Sequence, residues 1–300
     1  MNDRSITAFN TVESYHNIVQ KLRTFFLDRG FLEIDTQSRL SILAACEDPR
    51  TITTFEFAGT KWPLPQTGQM WLEHELLTNP RLPGAFCLTT SYRDEPNPNP
   101  NRHLKIFKMF EFETHGNMEV LQRLMEDLFE WLGLGSRDLY RQGDYAFVAD
   151  YYKTKFIEAE HEEKLWKEFG PVFFLKNFPG YTHPFWNMKK DGDVHKKIDA
   201  ILYGVETIGS AERSCNVDEM RDIFHTISDG QYASILFKHF GKERVEKELE
   251  EFLSYDFFPR FGGGIGIARL MRAMELAQQE HTGIVTPVAG ATKTQTTYTL

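Results

Sequence analysis

The sequence predicts an α+β fold: a largely antiparallel sheet flanked by helices. Three observations predict it. Runs with apolar residues at helical spacing sit between groups of strand-like runs, not between single strands. The strand-like runs come in pairs joined by turns or a proline loop, as hairpins do, without regular β-α-β succession. No internal repeat or linker divides the 300 residues, so they are expected to form a single domain with a substantial core.

The elements follow in order. In TVESYHNIVQKLRTFFLDRG, residues Val12, Tyr15, Ile18, Val19, Leu22, Phe25 and Phe26 share one helical stripe, and Gly30 supplies a stop. FLEID reads as a short strand. Residues 39–60 carry no clear pattern. LPQTGQMWLEHELL begins as a turn and becomes a helix. AFCLTTSY and IFKMFEFETH are strands on either side of PNPNPN, which cannot itself be strand, because proline lacks the ladder donor. EVLQRLMEDLFEWLGLG is an amphipathic helix ending at glycine. Residues 136–170 are charged and mostly helical. PVFFLKNFP is a buried strand, and FWNMKK and KIDAILYGVETIG read as further strands. VDEMRDIFHTI and ERVEKELEEFLSY are helices. FPRFGGGIGIARLMRAMELA is a strand or turn, a glycine run and a helix. The Thr-rich residues 285–300 are expected to be a mobile tail, leaving 10–290 as the core.

Composition narrows the function. A hydrophobic fraction of 41% excludes a disordered chain. A net charge of −9 is not the basic footprint of a nucleic-acid-binding domain, although a local basic patch can survive a negative total. Cys46, Cys87 and Cys215 are widely spaced and odd in number, with no zinc spacing, which fits a reducing cytoplasm. The first ten residues have no apolar leader, and no run approaches the ~20 apolar residues of a membrane span, so no membrane partner is expected.

Three constellations carry chemistry. In GGGIGIAR the glycines alone fit a tight turn capping a helix. Arg269 favours a polyphosphate or nucleotide site instead, because a cation just inside a helix start is unfavourable unless an anion shares the place. KIDAILYGVETIGSAER carries Asp199, Glu206 and Arg213. Two carboxylates seven residues apart on what reads as one bent strand suit Mg²⁺ with phosphate oxygens. Taken alone, they fit a salt bridge with Arg213 or a solvated strand face better. In SYRDEPNPNPNRHLKIFKMFEFETHG, Arg93 and His103 stand at the feet of the proline loop. They read either as scattered charge on a hairpin tip or as a phosphate fork beside a stacking ring, Phe107.

These stretches, in this order, resemble the three signature motifs of class II aminoacyl-tRNA synthetases. LRTFFLDRGFLEIDTQSRL is similar to the dimer-forming first motif, YRDE…RHLKIFKMFEFE to the second and FGGGIGIARLMRAM to the third. LPQTGQMWLE, PVFFLKNFP and VETIGSAER resemble the aspartate/asparagine branch. The resemblance covers roughly residues 12–290. It implies an antiparallel sheet flanked by helices that forms an acyl adenylate from ATP. It further implies that Arg93 holds the α-phosphate and the activated carboxylate, that Glu95 reads the adenine amino group and that His103 touches the outer phosphates. Phe107 and Arg269 would enclose adenine, Gly266 and Glu206 would border ATP, and Asp199 and Glu206 would carry Mg²⁺. Arg213, Gln69 and Glu73 would hold the amino acid. A homodimer is implied, with Phe25, Phe26 and Phe31 at its core.

The sequence also departs from that pattern. The first motif's usual proline is Gln37, Ala268 stands where an acid usually precedes the third-motif arginine, and the first helix begins near Thr11, so no anticodon-binding domain is expected. The glycine triplet resembles that of ammonia-dependent asparagine synthetase. The expectation is therefore an AMP-forming ligase converting aspartate and ammonia to asparagine, with tRNA not expected as a partner. The alternatives are transfer of the acyl group to another amine, carrier or protein, a non-catalytic regulatory pocket, and tRNA charging.

Overall fold

The computed structural model describes residues 12–36, 39–45, 48–96 and 104–281. In chain order these form α1 (Val12–Leu27), β1 (Leu32–Glu33), β2 (Thr54–Phe57), β3 (Thr60–Pro63), α2 (Gln69–Thr78), β4 (Gly84–Tyr92), β5 (Ile106–His115), α3 (Met118–Leu132), β6 (Arg141–Asp144), α4 (Tyr145–Tyr151), α5 (Ala159–Phe169) and β7 (Val172–Pro179). There follow β8 (Lys190–Asp191), β9 (Val194–Leu202), β10 (Val205–Glu212), α6 (Val217–Thr226), α7 (Gln231–Phe240), α8 (Lys242–Leu253), β11 (Arg260–Gly266) and α9 (Ile267–His281).

The main sheet runs β1-β4-β5-β11-β10-β9-β7-β6, with β8 on β9. Its centre is antiparallel, as expected; the outer pairs β1–β4 and β6–β7 are parallel. β4 and β5 pair from Gly84↔Thr114 to Tyr92↔Ile106, so the proline loop joins two long strands of one hairpin. Residues 97–103 of that loop, His103 among them, lie outside the described residues, as do Gln37 and the 285–300 tail.

One face of the sheet is covered by α1, α3 and α9. Leu22 and Phe26 of α1, Leu121 and Phe129 of α3 and Leu270 of α9 bury against Phe86, Phe110, Phe112, Phe174 and Phe261. Strand alternation decides this: Phe110 and Phe112 face the core, which turns Glu111 and Glu113 to the opposite face. Phe26 sits 5.1 and 5.2 Å, ring to ring, from Phe110 and Phe112. Burying each such ring contributes roughly 1.5–3 kcal/mol. Phe25, Phe26 and Phe31 are thus core residues of this chain and not the dimer core expected of them. A second cluster, built by α6, α7 and α8 around Trp186, supports α2 and the Ile42–Ala44 turn.

Several local expectations are corrected. FWNMKK is not a strand; it makes one bridge, Met188 to Arg213, before the two-residue β8. Between the two expected helices VDEMRDIFHTI and ERVEKELEEFLSY, QYASILFKHF forms a further one, α7. Residues 39–60 hold two short 3-10 turns and β2, the first strand of the β2–β3 hairpin. The 136–170 stretch contains a strand, β6, besides its helices. The glycine run is neither turn nor cap but the body of β11.

Candidate active site

The sheet face opposite α1, α3 and α9 carries a cavity of about 350 Å³. Its floor is β5, β10 and β11. Its walls are the loop leading into α2, the Phe185–Met188 segment and the first turn of α9. Arg93, Glu95, Phe107, Gln69, Glu206, Arg213, Gly266 and Arg269 all line it, so most of the predicted site residues meet in one place.

One end suits a nucleotide. The Arg93 guanidinium lies 5.3 Å from the Phe107 ring centroid. The Arg93 N–H donates to the Lys105 carbonyl at 2.8 Å, which closes the foot of the β4–β5 hairpin. Arg93 and Glu95, at the entrance to the proline loop, thus stand on a hairpin base that forms part of the cavity wall. Across the cavity, Arg269 is the third residue of α9. Its Nη1 donates to the Glu206 carbonyl at 2.7 Å and lies 3.6 Å from the Glu206 carboxylate. The anion that a cation at a helix start requires is therefore supplied by the protein itself. Arg269 remains about one-third exposed, within reach of a ligand.

The other end is a buried polar network. Arg213 lies 3.3 Å from the Glu113 carboxylate and 3.7 Å from that of Glu73. Glu73 binds Arg260 at 2.6 Å and accepts from Asn187 Nδ2 at 2.6 Å. Gln69 Nε2 donates to the Glu113 carboxylate and, at 3.2 Å, to the Phe112 carbonyl. Two arginines face two glutamates, so the group is neutral as a unit, and nearly every polar atom has a partner. Burial pushes the Glu113 carboxyl up to about 7, Arg213 pulling it back down. Glu73 is completely buried and does not line the cavity; it supports Arg213 and Arg260 rather than reaching a ligand.

Gly262 and Gly263 make this network possible. A Cβ on Gly262 would lie 1.8 Å from a Glu113 carboxylate oxygen, and one on Gly263 would lie 2.5 Å from the Ser210 Cβ. Glu111, two residues before Glu113, accepts from Thr67, Thr89 and the Gly68 N–H, and burial raises its pKa. It anchors the α2 loop to the sheet. Glu111, Glu113, Arg260, Asn187 and Lys197 were not singled out from the sequence. A signal existed for the first two: acids at alternate positions of KMFEFE, in a strand whose other face is phenylalanine, are costly unless partnered.

Asp199 and Glu206 lie on the adjacent strands β9 and β10 of a hairpin, not on one bent strand. Asp199 Oδ1 is buried with no hydrogen-bond partner. A Cβ on Gly209 would sit 3.2 Å from Glu206 Oε1 and 3.7 Å from Asp199 Oδ1, so glycine leaves both oxygens facing one clear space. Two hard carboxylate oxygens completed by phosphate and water fit Mg²⁺. Among the described residues no group of three or more His, Cys, Asp or Glu forms a fuller metal cage.

Strand order, helical cover and a cavity over β5, β10 and β11 define the catalytic-domain fold of class II aminoacyl-tRNA synthetases. The asparaginyl-tRNA synthetase of Pyrococcus horikoshii, solved with asparaginyl-adenylate, shares that fold with a TM-score of 0.66 at 21% identity, over 88% of this chain and 65% of that one. The chain belongs to the tRNA synthetases class II (D, K and N), whose family model matches residues 4–284. It is 30% identical to the aspartate–tRNA(Asp) ligase of Pyrobaculum aerophilum over 90% of its own length. It is 25% identical to the asparagine–tRNA ligase of Desulforamulus reducens over 84%. The chain spans 64% and 62% of those two relatives. Among the described residues no helix is long and apolar enough to cross a membrane.

Proposed function

We propose that this chain activates aspartate or asparagine with ATP, forming an acyl adenylate and pyrophosphate, and that the acyl group then passes to tRNA. The observation that carries the reading is that Arg213, set in its neutral network, lines the same cavity as Arg93, Phe107 and Arg269. A small polar molecule held at Arg213 therefore faces a triphosphate held at the other end.

Phe107 stacks the base and Glu95 accepts from its amino group. Arg93 draws together the α-phosphate and the reacting carboxylate. The carboxylate oxygen forms its bond to the α-phosphorus as the bond to the β-phosphate bridge oxygen breaks, and the electron pair leaves with pyrophosphate. Catalysis is by positioning and charge neutralisation, with Arg269 and His103 on the departing phosphates. Asp199 and Glu206 would hold Mg²⁺, which supplies further neutralisation of phosphate oxygens. An acceptor hydroxyl then bonds to the acyl carbon while AMP leaves. We place this in a single catalytic domain, residues 10–290, working as a cytoplasmic homodimer.

The ammonia-dependent ligase expected from Ala268 takes second place. The named relatives are tRNA ligases, and they support tRNA as acceptor more than ammonia. The test is ATP–pyrophosphate exchange across the amino acids, followed by transfer to tRNA or to ammonium. Exchange with aspartate or asparagine and labelled tRNA is expected. Free asparagine formed from aspartate and ammonium, with no labelled tRNA, would replace the acceptor. Absence of exchange with either amino acid would overturn the whole reading.

A further inference from the structure

Lys197 lies between two cavities. It lines the one described above and a second of about 390 Å³ behind it, which is also bordered by Tyr145, Glu162, Phe178 and Asp199. Lys197 and Asp199 stand two residues apart on β9 and so share a face. The Lys197 ammonium is 2.6 Å from Asp199 Oδ2 and 4.0 Å from the Phe178 ring centroid. Both partners are largely shielded from water, where a charge pair is screened little. Asp199 Oδ1, the oxygen left over, faces the space it shares with Glu206 over Gly209.

Around this space two cations stand among three carboxylates. Lys197 answers Asp199, Arg269, 3.6 Å from the Glu206 carboxylate, answers Glu206, and Glu162, which accepts from the Glu206 N–H at 2.9 Å, leaves one negative charge over. A divalent cation entering alone would turn that single negative charge into an excess of positive charge beside the two cations already held. A divalent cation entering with a triphosphate would bring its own negative charge.

We propose that Lys197 is an internal counter-cation that holds the Asp199–Glu206 pair closed to divalent metal until nucleotide phosphates arrive. The inference rests on the adenylation reading only for the identity of the phosphates. The ammonium is a positioning group: it fixes the Asp199 carboxylate by one oxygen, leaves the other free, and lowers the pair's attraction for a bare ion. The second cavity, which Glu162 also borders, gives the displaced ammonium room to move off Asp199 while it keeps the Phe178 ring it already lies over.

The test uses the full chain and Mn²⁺ as probe, without nucleotide, amino acid or tRNA. The readout is the electron paramagnetic resonance signal of free aqueous Mn²⁺ during titration. Lys197→Met is expected to bind Mn²⁺ at least tenfold more tightly than the unsubstituted chain. Lys197→Gln keeps a donor to Asp199 and serves where the apolar variant does not fold; the same tightening is expected. Lys197→Arg, which keeps the charge, should return to the unsubstituted affinity. Adding Asp199→Asn to the neutral variant should abolish the gain. Neutral variants that melt normally and bind Mn²⁺ no more tightly than the unsubstituted chain would overturn the proposal. So would a gain that survives Asp199→Asn. Neither result depends on turnover, so a failed exchange assay and a failed counter-cation are told apart.

Discussion

Arg260 and Glu73 meet at 2.6 Å with neither side chain exposed, 187 residues apart in sequence. Asn187 and the Ser214 carbonyl complete the arrangement, and Arg213 lies directly against it. The Arg213 end of the cavity thus rests on an ion pair that does not itself line the cavity.

Removing one member leaves a charge buried without its partner, which costs roughly 3–5 kcal/mol. Glu73→Ala and Arg260→Met are each expected to lose stability of that order in urea unfolding. Arg213, no longer fixed, should also hold the amino acid more weakly, raising its KM in exchange. A loss under ~1 kcal/mol would show that the network does not depend on this pair.

The glycines of β11 should differ among themselves. Alanine at Gly262 meets the Glu113 carboxylate and the Phe112 carbonyl, and alanine at Gly263 meets Ser210 and the Gly209 carbonyl. Neither backbone can yield. Alanine at Gly264 meets only the terminal methyl of Met109, which can swing away. Gly262→Ala and Gly263→Ala should each cost about 1–3 kcal/mol or more, and Gly264→Ala less than about 1. Thermal unfolding of the three variants gives the order; equal losses would count against the packing account.

Arg269→Ala should lower exchange on the order of 10³-fold and leave the melting temperature close to that of the unsubstituted chain. The side chain is part-exposed, and its hydrogen bond and ion pair are both with Glu206. Arg269→Lys keeps the charge without the planar fork and should recover only part of the loss. Near-normal exchange in the alanine variant would remove the nucleotide from this end of the cavity.

Aspartate and asparagine should respond differently to pH. Burial raises Glu113 to about 7. Below that pH Glu113 is protonated and Arg213 has charge to offer a substrate carboxylate. Above it the Glu113 anion competes for the same guanidinium. The KM for aspartate should therefore rise as pH passes upward through about 7, by at most ~10-fold per pH unit, as one linked proton allows. The KM for the neutral side chain of asparagine should stay level, and Glu113→Gln should flatten the aspartate profile. Parallel profiles for the two amino acids would show that Glu113 does not titrate against the substrate.

The sequence by itself determined which segments are helix and which are strand wherever side-chain period was strong. The stripe of α1, the alternation of β4 and β5 and the stop of α3 at Gly133 are local facts, carried by spacing and turn chemistry. It also marked Arg93, Glu95, Glu206, Arg213 and Arg269, because charge in apolar runs must have a reason, and Phe107 as a ring that could stack beside them. Tertiary structure alone decided what those residues meet. Glu113 finds Arg213 a hundred residues on, and Asp199 and Glu206 turn out to stand on the two strands of one hairpin, each with an oxygen near Gly209. Phe25, Phe26 and Phe31 enter this chain's own core. Glycines that read as a turn are strand, because what requires them is the Glu113 carboxylate on the next strand and Ser210 on the other neighbour. Periodicity is a property of neighbours in sequence. The close approach of buried charges is set by sheet order and register, which bring together residues that no local pattern connects.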